Sequence, residues 1–172
     1  MMGGPRIKHV DDVPENEVLK IEFEDGRTAS VRERFVEMLP NFLSFYNNWD
    51  PGMIQRKHGH HGHHVVFILS GSMMVGDQLC TKGSHIFLMH GDTFGPWIAG
   101  PEGCETLGIV AGHGMSFCHP NDEAAFLELL EDNRAKRAPV PPIDADNLPA
   151  WRGAGYVGAT SAKVSSPTIY NP

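Results

Sequence analysis

Apolar and polar residues alternate along much of this chain, which is the period-2 pattern of half-buried β-strands. Leu19, Ile21 and Phe23 alternate with charged residues, and Asp25-Gly26 follows as a tight turn, so residues 28–35 can return as the second arm of a hairpin. Five further strand-like runs are separated by glycine-containing breaks: 53–60, 64–69, 72–75, 85–89 and 106–111. Short strands between glycine turns predict an all-β barrel or sandwich.

One helix is predicted after these strands, at residues 121–138. Asn121 or Asp122 can cap its first turn, and an apolar stripe follows, so the helix is expected to pack outside the barrel. The stripe consists of Phe126, Leu129 and Leu130, and Arg134, Lys136 and Arg137 close the last turn. The chain is thus divided into an N-terminal arm (1–16), a barrel (17–120), the helix (121–138) and an extended C-terminal tail (139–172). Residues 38–49 fit either a short helix or a strand.

Composition narrows the class of protein. A chain of 172 residues suits one domain, and a formal net charge of −7 argues against nucleic acid as a partner. The longest uninterrupted apolar run, residues 65–69, is too short to span a membrane. Cys80, Cys104 and Cys118 have no metal-knuckle spacing, so free thiols in a reducing cytoplasm are expected.

Histidine is unusually abundant, with ten residues in the chain. Five of them fall within seven positions: His58, His60, His61, His63 and His64. Alternate residues of a strand face the same side, so one strand aims His58 and His60 into one space. Gly62 is expected to break the chain before a second strand that begins at His64, so that three imidazoles converge from two adjacent strands. Imidazole is a common ligand of zinc, copper, nickel and iron. The alternative is a solvated histidine-rich turn, which is the expectation for His61 and His63.

This segment resembles a known sequence motif. Residues 52–71 match the first cupin motif, G-x5-H-x-H-x3-E-x6-G, at every spacing, with His64 at the position where the family has glutamate. Residues 83–98 resemble the second motif, G-x5-P-x-G-x2-H-x3-N, in a degenerate form. Gly83 and Gly91 match, whereas Met89, Phe94 and Ile98 replace the family's proline, histidine and asparagine.

The resemblance implies a jelly-roll β-barrel with one divalent metal at its centre. His58, His60 and His64 are the implied ligands, and iron, manganese, nickel and zinc are all compatible with them. Phe94 removes the histidine of the second motif, so one coordination side stays open to water or substrate, as a catalytic site requires. Small members of the family often pair by strand exchange, so a homodimer is expected.

Other side chains are candidates for the lining of the pocket. Arg56 lies two positions before His58 and is expected to bind a substrate carboxylate, unless it forms a salt bridge at the rim. Candidate acids or bases are His90, His113 and Glu105, although the two histidines also suit exposed loops. Candidate wall residues are Phe87, Phe94, Trp97 and Met73, for which core packing is the alternative.

Two classes of function remain open from the sequence. The first is a metal-dependent enzyme for a small oxygenated or carboxylate-bearing substrate, either a dioxygenase or a lyase, dehydratase or isomerase. Because no phosphate-cradling glycine loop precedes a helix, the metal is the one cofactor expected. The second class is a non-catalytic cupin that binds or senses a small ligand, and a storage or structural role is a third, weaker alternative.

Overall fold

The computed structural model describes residues 5–149, and within this range the chain forms ten antiparallel strands and one α-helix. The strands are β1 (Asn16–Phe23), β2 (Thr28–Leu39), β3 (Phe42–Trp49), β4 (Ile54–Gln55), β5 (His58–Val75), β6 (Gln78–Thr81), β7 (His85–Leu88), β8 (Thr93–Phe94), β9 (Trp97–Phe117) and β10 (Ala135–Arg137), and the helix is α1 (Glu123–Asp132). The prediction of an all-β architecture with a C-terminal helix is confirmed.

The predicted N-terminal hairpin is present. β1 and β2 pair up to Glu22 and Thr28, and Gly26 adopts φ +83° in the turn, a conformation that glycine reaches without steric cost. The register shifts between Glu17 and Leu19. Because of that irregularity Val18 becomes one of the fully buried residues of β1 together with Ile21, while Leu19 is only half-buried against the core.

Two long strands organise the barrel. The main path of the sheet runs β10-β1-β2-β3-β9-β5-β6, with β4 paired to β9 and both β7 and β8 paired to β5. The strands β5 and β9 pair along most of their length, with three register irregularities. Residues 38–49, open in the sequence, form the end of β2, its turn and β3. Ile68, Val75 and Val110 on the inner faces are completely buried.

The helix is shorter than expected. It ends at Asp132, Arg134 adopts φ +51°, and residues 135–137 form β10 beside β1 instead of a last helical turn. The physical reason is that Phe126 and Leu130 already bury the apolar stripe, so the following residues complete a sheet edge.

The described parts of both terminal segments lie against the barrel. Val13 is buried before β1 begins, and Ile143 and Leu148 pack on the core from the other end of the chain. Asn147 Nδ2 donates to Asn16 Oδ1 at 3.2 Å, which holds the two segments together. The remainder of the tail, residues 150–172, lies outside the described residues. Within the described range, no helix has the length and apolarity that crossing a membrane requires.

Candidate metal centre

The three candidate ligands lie on one strand. His58, His60 and His64 all belong to β5 and are 8%, 6% and 4% exposed, so each faces the barrel interior. His61 and His63 lie on the same strand but face outward and are exposed. The expectation of two adjacent strands and of loop positions for His61 and His63 is therefore wrong, because pairing of β5 with β9 continues through Gly62.

The three imidazoles lie close together inside the barrel. Four residues of extended strand span roughly 13 Å, yet the ring centroids of His60 and His64 are 4.4 Å apart, and those of His58 and His60 are 5.5 Å apart. Gly62, which lies between His60 and His64 in the sequence, is in register with Gly112 of β9. A Cβ on Gly62 would lie 2.7 Å from Gly112 Cα and 2.8 Å from the Ala111 carbonyl oxygen, so this close approach requires glycine.

Backbone carbonyls orient two of the rings. His58 Nδ1 lies 3.2 Å from the Arg56 carbonyl oxygen, and His60 Nδ1 lies 2.9 Å from that of Gly114. Because a carbonyl oxygen only accepts, each Nδ1 carries the proton and donates, which leaves the lone pair on Nε2. A carbonyl that fixes the tautomer in this way is the usual second partner of a metal-binding histidine.

Burial keeps the rings neutral. Loss of solvation lowers the pKa of His58 to about 3, with a smaller contribution from its neighbour His60. The same cause lowers the pKa of His60 and brings that of His64 well below its ordinary value. Neutral imidazole is the form that binds metal ions, so no proton has to be displaced near neutral pH.

His64 supplies the main test of fit to a metal. Its Nε2 is buried and has no hydrogen-bond partner among the described residues, and such an orphaned polar atom is costly. The cavity around the rings has a free volume of about 20 Å³, which holds one water-sized particle or a single ion. As the side chains stand in residues 5–149, no three or more His, Cys, Asp or Glu groups form a ready metal-binding geometry. Neutral imidazoles beside an orphaned buried nitrogen are nevertheless a donor set whose chemistry suits a divalent ion.

The cavity has walls that the sequence reasoning missed. Besides the histidines, Val66 and the predicted Trp97, it is lined by Glu33, Phe45, Asn47, Trp49, Gln55 and Thr106. The signal for Glu33 was present, because it lies between the inward residues Val31 and Phe35 while Arg32 and Arg34 alternate with them. A carboxylate at an inward position of a strand is a recognisable departure from the apolar pattern.

Arg56 forms a salt bridge, which is the alternative to a substrate carboxylate that the sequence left open. Its Nη1 pairs with Glu123 Oε2 of α1 at 2.7 Å, and its side chain is 14% exposed. Glu123 also pairs with Arg137 at 2.7 Å. Because the Arg56 carbonyl orients His58, this ion-pair cluster connects α1 to the histidine site.

The other predicted residues divide between two sides of the barrel wall. Trp97 is 2% exposed and lines the cavity, with its ring centroid 5.8 Å from that of His58. Phe94 packs against the core, and Met73 is completely buried, but neither is among the lining residues. The outward group consists of Phe87, His90, His113 and Glu105.

The outward positions follow from strand parity. Phe87 is 56% exposed and stacks on His63, with 5.8 Å between the centroids. The exposed His90 donates its backbone N–H to His63 Nδ1, and Glu105 accepts a hydrogen bond from Ser70 at 2.8 Å. Phe87 and Glu105 alternate with the inward Leu88 and Thr106, so placing these two residues in the pocket was wrong. His90 lies in an exposed turn beyond β7, which is the loop alternative expected for it.

Comparison with known proteins gives structural likeness without sequence likeness. No protein-family model matches the chain, and no curated protein is significantly similar to it. The polyketide cyclase RemF from Streptomyces resistomycificus superposes with TM-score 0.53 and 17% identity, covering 73% of this chain and 94% of RemF. A proposed acetylacetone dioxygenase from Methylibium petroleiphilum gives TM-score 0.53 and 14% identity over 71% of this chain and 88% of the other. An RmlC-like cupin from Shewanella frigidimarina gives TM-score 0.49 and 14% identity, with coverages of 65% and 95%.

Proposed function

We propose that this chain, which has the cupin fold, is a metal-dependent enzyme for a small oxygenated organic substrate. In this proposal His58, His60 and His64 hold one divalent ion. The observation that carries it is a set of three buried, neutral imidazoles around one cavity, with His64 Nε2 left without a partner in the described chain. A bound cation would compensate the cost of burying these polar rings.

A divalent metal at this position would polarise a substrate oxygen and acidify a bound water. The barrel's own residues would bind and orient the substrate, and the stacked rings of Trp49 and Trp97, 6.5 Å apart, would exclude water from one side. Both oxygenase chemistry and lyase, dehydratase or isomerase chemistry are compatible with this arrangement. RemF is a polyketide cyclase and the Methylibium protein a proposed acetylacetone dioxygenase, which supports substrates that carry ketone groups.

Metal content and turnover test the proposal. The protein is purified, stripped of metal and then reconstituted separately with iron, manganese, nickel and zinc. After gel filtration, the reconstituted protein is expected to retain about one ion per chain. Oxygen uptake and product formation are then measured with a panel of small ketones and hydroxy acids. Absence of retained metal under all four conditions would contradict the proposed metal centre.

A non-catalytic ligand-binding or sensory cupin is the second candidate. The degenerate second motif, in which Phe94 stands at the position of the family's histidine, favours it. The same experiment separates the two functions. Retained metal and ligand binding without turnover across the panel would support the second candidate.

We also propose that the chain forms a homodimer through the outer face of β5 and β7. Phe67 and Phe87 are 38% and 56% exposed on this face, and Met89 beyond the end of β7 is 60% exposed. Clustered exposed apolar side chains mark association surfaces. Sedimentation velocity is expected to give a dimer for the wild type and a monomer for Phe87→Glu, with Glu105→Gln as a control. A wild-type monomer would contradict this assembly.

The cytoplasm is the proposed compartment. The three cysteines, Cys80, Cys104 and Cys118, are free in the structure. Burial raises the pKa of the Cys104 thiol to about 12, which keeps it protonated and unreactive. Free, unreactive thiols suit a reducing environment.

A further inference from the structure

A row of polar side chains crosses the barrel interior on three neighbouring strands. Glu33 of β2 is in register with Asn47 of β3, which is in register with Thr106 of β9. They are 2%, 9% and 1% exposed, and all three line the cavity that contains the imidazoles. When the side-chain amide of Asn47 is oriented so that its oxygen and its nitrogen both have suitable partners, Nδ2 donates to Glu33 Oε1 at 3.3 Å. The histidines of β5 thus share their cavity with these three residues, which we call the Glu33 row.

Packing alone does not explain the Glu33 row. The inward neighbours of Glu33 on β2, Val31 and Phe35, are each 1% exposed, so an apolar residue would suit the position between them. Burial of a carboxylate lowers stability unless charges or hydrogen bonds compensate it. A carboxylate at this place in a cavity with candidate metal ligands therefore points to a binding role.

Trp49 supplies a second, independent observation. Its side chain is 5% exposed and lines the same cavity, and its Nε1 is buried without a hydrogen-bond partner among the described residues. Buried indole N–H groups normally have a partner. Its stacking neighbour Trp97 does have one, because Trp97 Nε1 donates to the Phe94 carbonyl oxygen at 2.9 Å. Of these two stacked tryptophans, Trp49 is therefore the one whose N–H donor is unused.

We propose that Glu33 and Trp49 recognise the two oxygen functions of the substrate. This inference rests on the proposed metal-dependent function. A carboxyl oxygen accepts hydrogen bonds, so Glu33 suits a hydroxyl or enol O–H. An indole N–H only donates, so Trp49 selects a carbonyl or enolate oxygen. The flat wall of stacked Trp49 and Trp97 favours a planar molecule. The substrate class is an enolised 1,3-dicarbonyl compound or a planar hydroxy ketone.

Binding of acetylacetone to the zinc-loaded protein tests this proposal. Acetylacetone presents an enol O–H beside a carbonyl, whereas 2-pentanone has a single carbonyl and serves as the control ligand. By calorimetry, wild type is expected to bind acetylacetone and to bind 2-pentanone at least tenfold more weakly. Glu33→Gln and Trp49→Phe are each expected to weaken acetylacetone binding about tenfold while zinc content stays unchanged. Glu105→Gln and Tyr46→Phe, which alter the outer face, are expected to match the wild type.

Four other outcomes would contradict the proposal or one part of it. If wild type retains no zinc, the proposed metal centre fails and this inference fails with it. If zinc is retained but both cavity variants bind acetylacetone as wild type does, Glu33 and Trp49 are not recognition residues, although the metal centre stands. Equal binding of acetylacetone and 2-pentanone by wild type would refute the substrate class. Loss of zinc in Glu33→Gln would place Glu33 on the metal instead of the substrate.

Discussion

Replacement of His58 or His60 by alanine is expected to remove metal binding almost completely. Either change deletes one of the three imidazoles proposed to bind the metal, while the other groups that line the cavity stay in place. The affinity for the metal should therefore fall by more than about 100-fold, which exceeds the usual effect of removing a group that only hydrogen-bonds to a metal ligand. The far-ultraviolet circular dichroism spectrum should be unchanged, because the apolar core around Ile68 and Val110 is untouched. Elemental analysis after dialysis against a weak chelator measures the effect.

The same strand provides matched controls. His61→Ala and His63→Ala delete imidazoles from β5 that are exposed on its outer face, and they are expected to retain metal at the wild-type level. Metal loss in these variants, together with retention in His58→Ala, would show that the ions bind the outer histidines. His64→Ala tests the remaining ligand position, and retention of metal there would reduce the centre to two histidines.

Acidification is expected to destabilise the metal-free protein strongly. The folded-state pKa of His58 is about 3, and those of His60 and His64 are also lowered, all by burial, whereas an unfolded histidine titrates near 6.5. Well above pH 6.5 these three histidines are neutral in both the folded and the unfolded state, so they add no pH dependence there. As pH falls below 6.5, the unfolded state binds protons that the folded state excludes, so the free energy of unfolding decreases.

The decrease in the free energy of unfolding depends on how far burial lowers the pKa of each histidine. His58, with a folded-state pKa of about 3, contributes a loss of about 1.4 kcal/mol per pH unit well below pH 6.5, and the lowered pKa values of His60 and His64 add to this loss. Urea unfolding of the metal-free protein at several pH values measures the change. His64→Leu should reduce the slope, while His61→Ala should not. A flat profile between pH 6.5 and 5 would mean that the imidazoles are solvated in the folded state.

Local sequence signals sufficed for several parts of the structure. The Asp25-Gly26 turn between alternating runs predicted the β1–β2 hairpin, because turn chemistry and strand period both act over a few residues. The i, i+2 spacing of His58 and His60 predicted that both face the same side, and both are buried in the structure. The stripe of Phe126 and Leu130 predicted a helix packed on the barrel, and both side chains are buried.

Other features depended on partners far away in the chain. Arg56 has the parity of His58, yet its side chain pairs with Glu123, 67 residues later. Glu33 and Trp49 belong to the cavity because β2, β3 and β9 lie side by side, and their spacing from the histidines in the sequence contains no such information. The helix ended early because residues 135–137 found an edge of β1 to pair with.

The sequence by itself determined that His58 and His60 share a face, because side-chain parity along a strand is set by the backbone of that strand alone. It also determined the sheet class, since glycine turns and alternating runs are local. Only the tertiary structure decided that His60 and His64 meet. Along an extended strand their Cα atoms would lie roughly 13 Å apart, yet their ring centroids are 4.4 Å apart in the barrel, where Gly62 between them is in register with Gly112 of β9. Such pairing joins segments about fifty residues apart, and local sequence rules do not describe it.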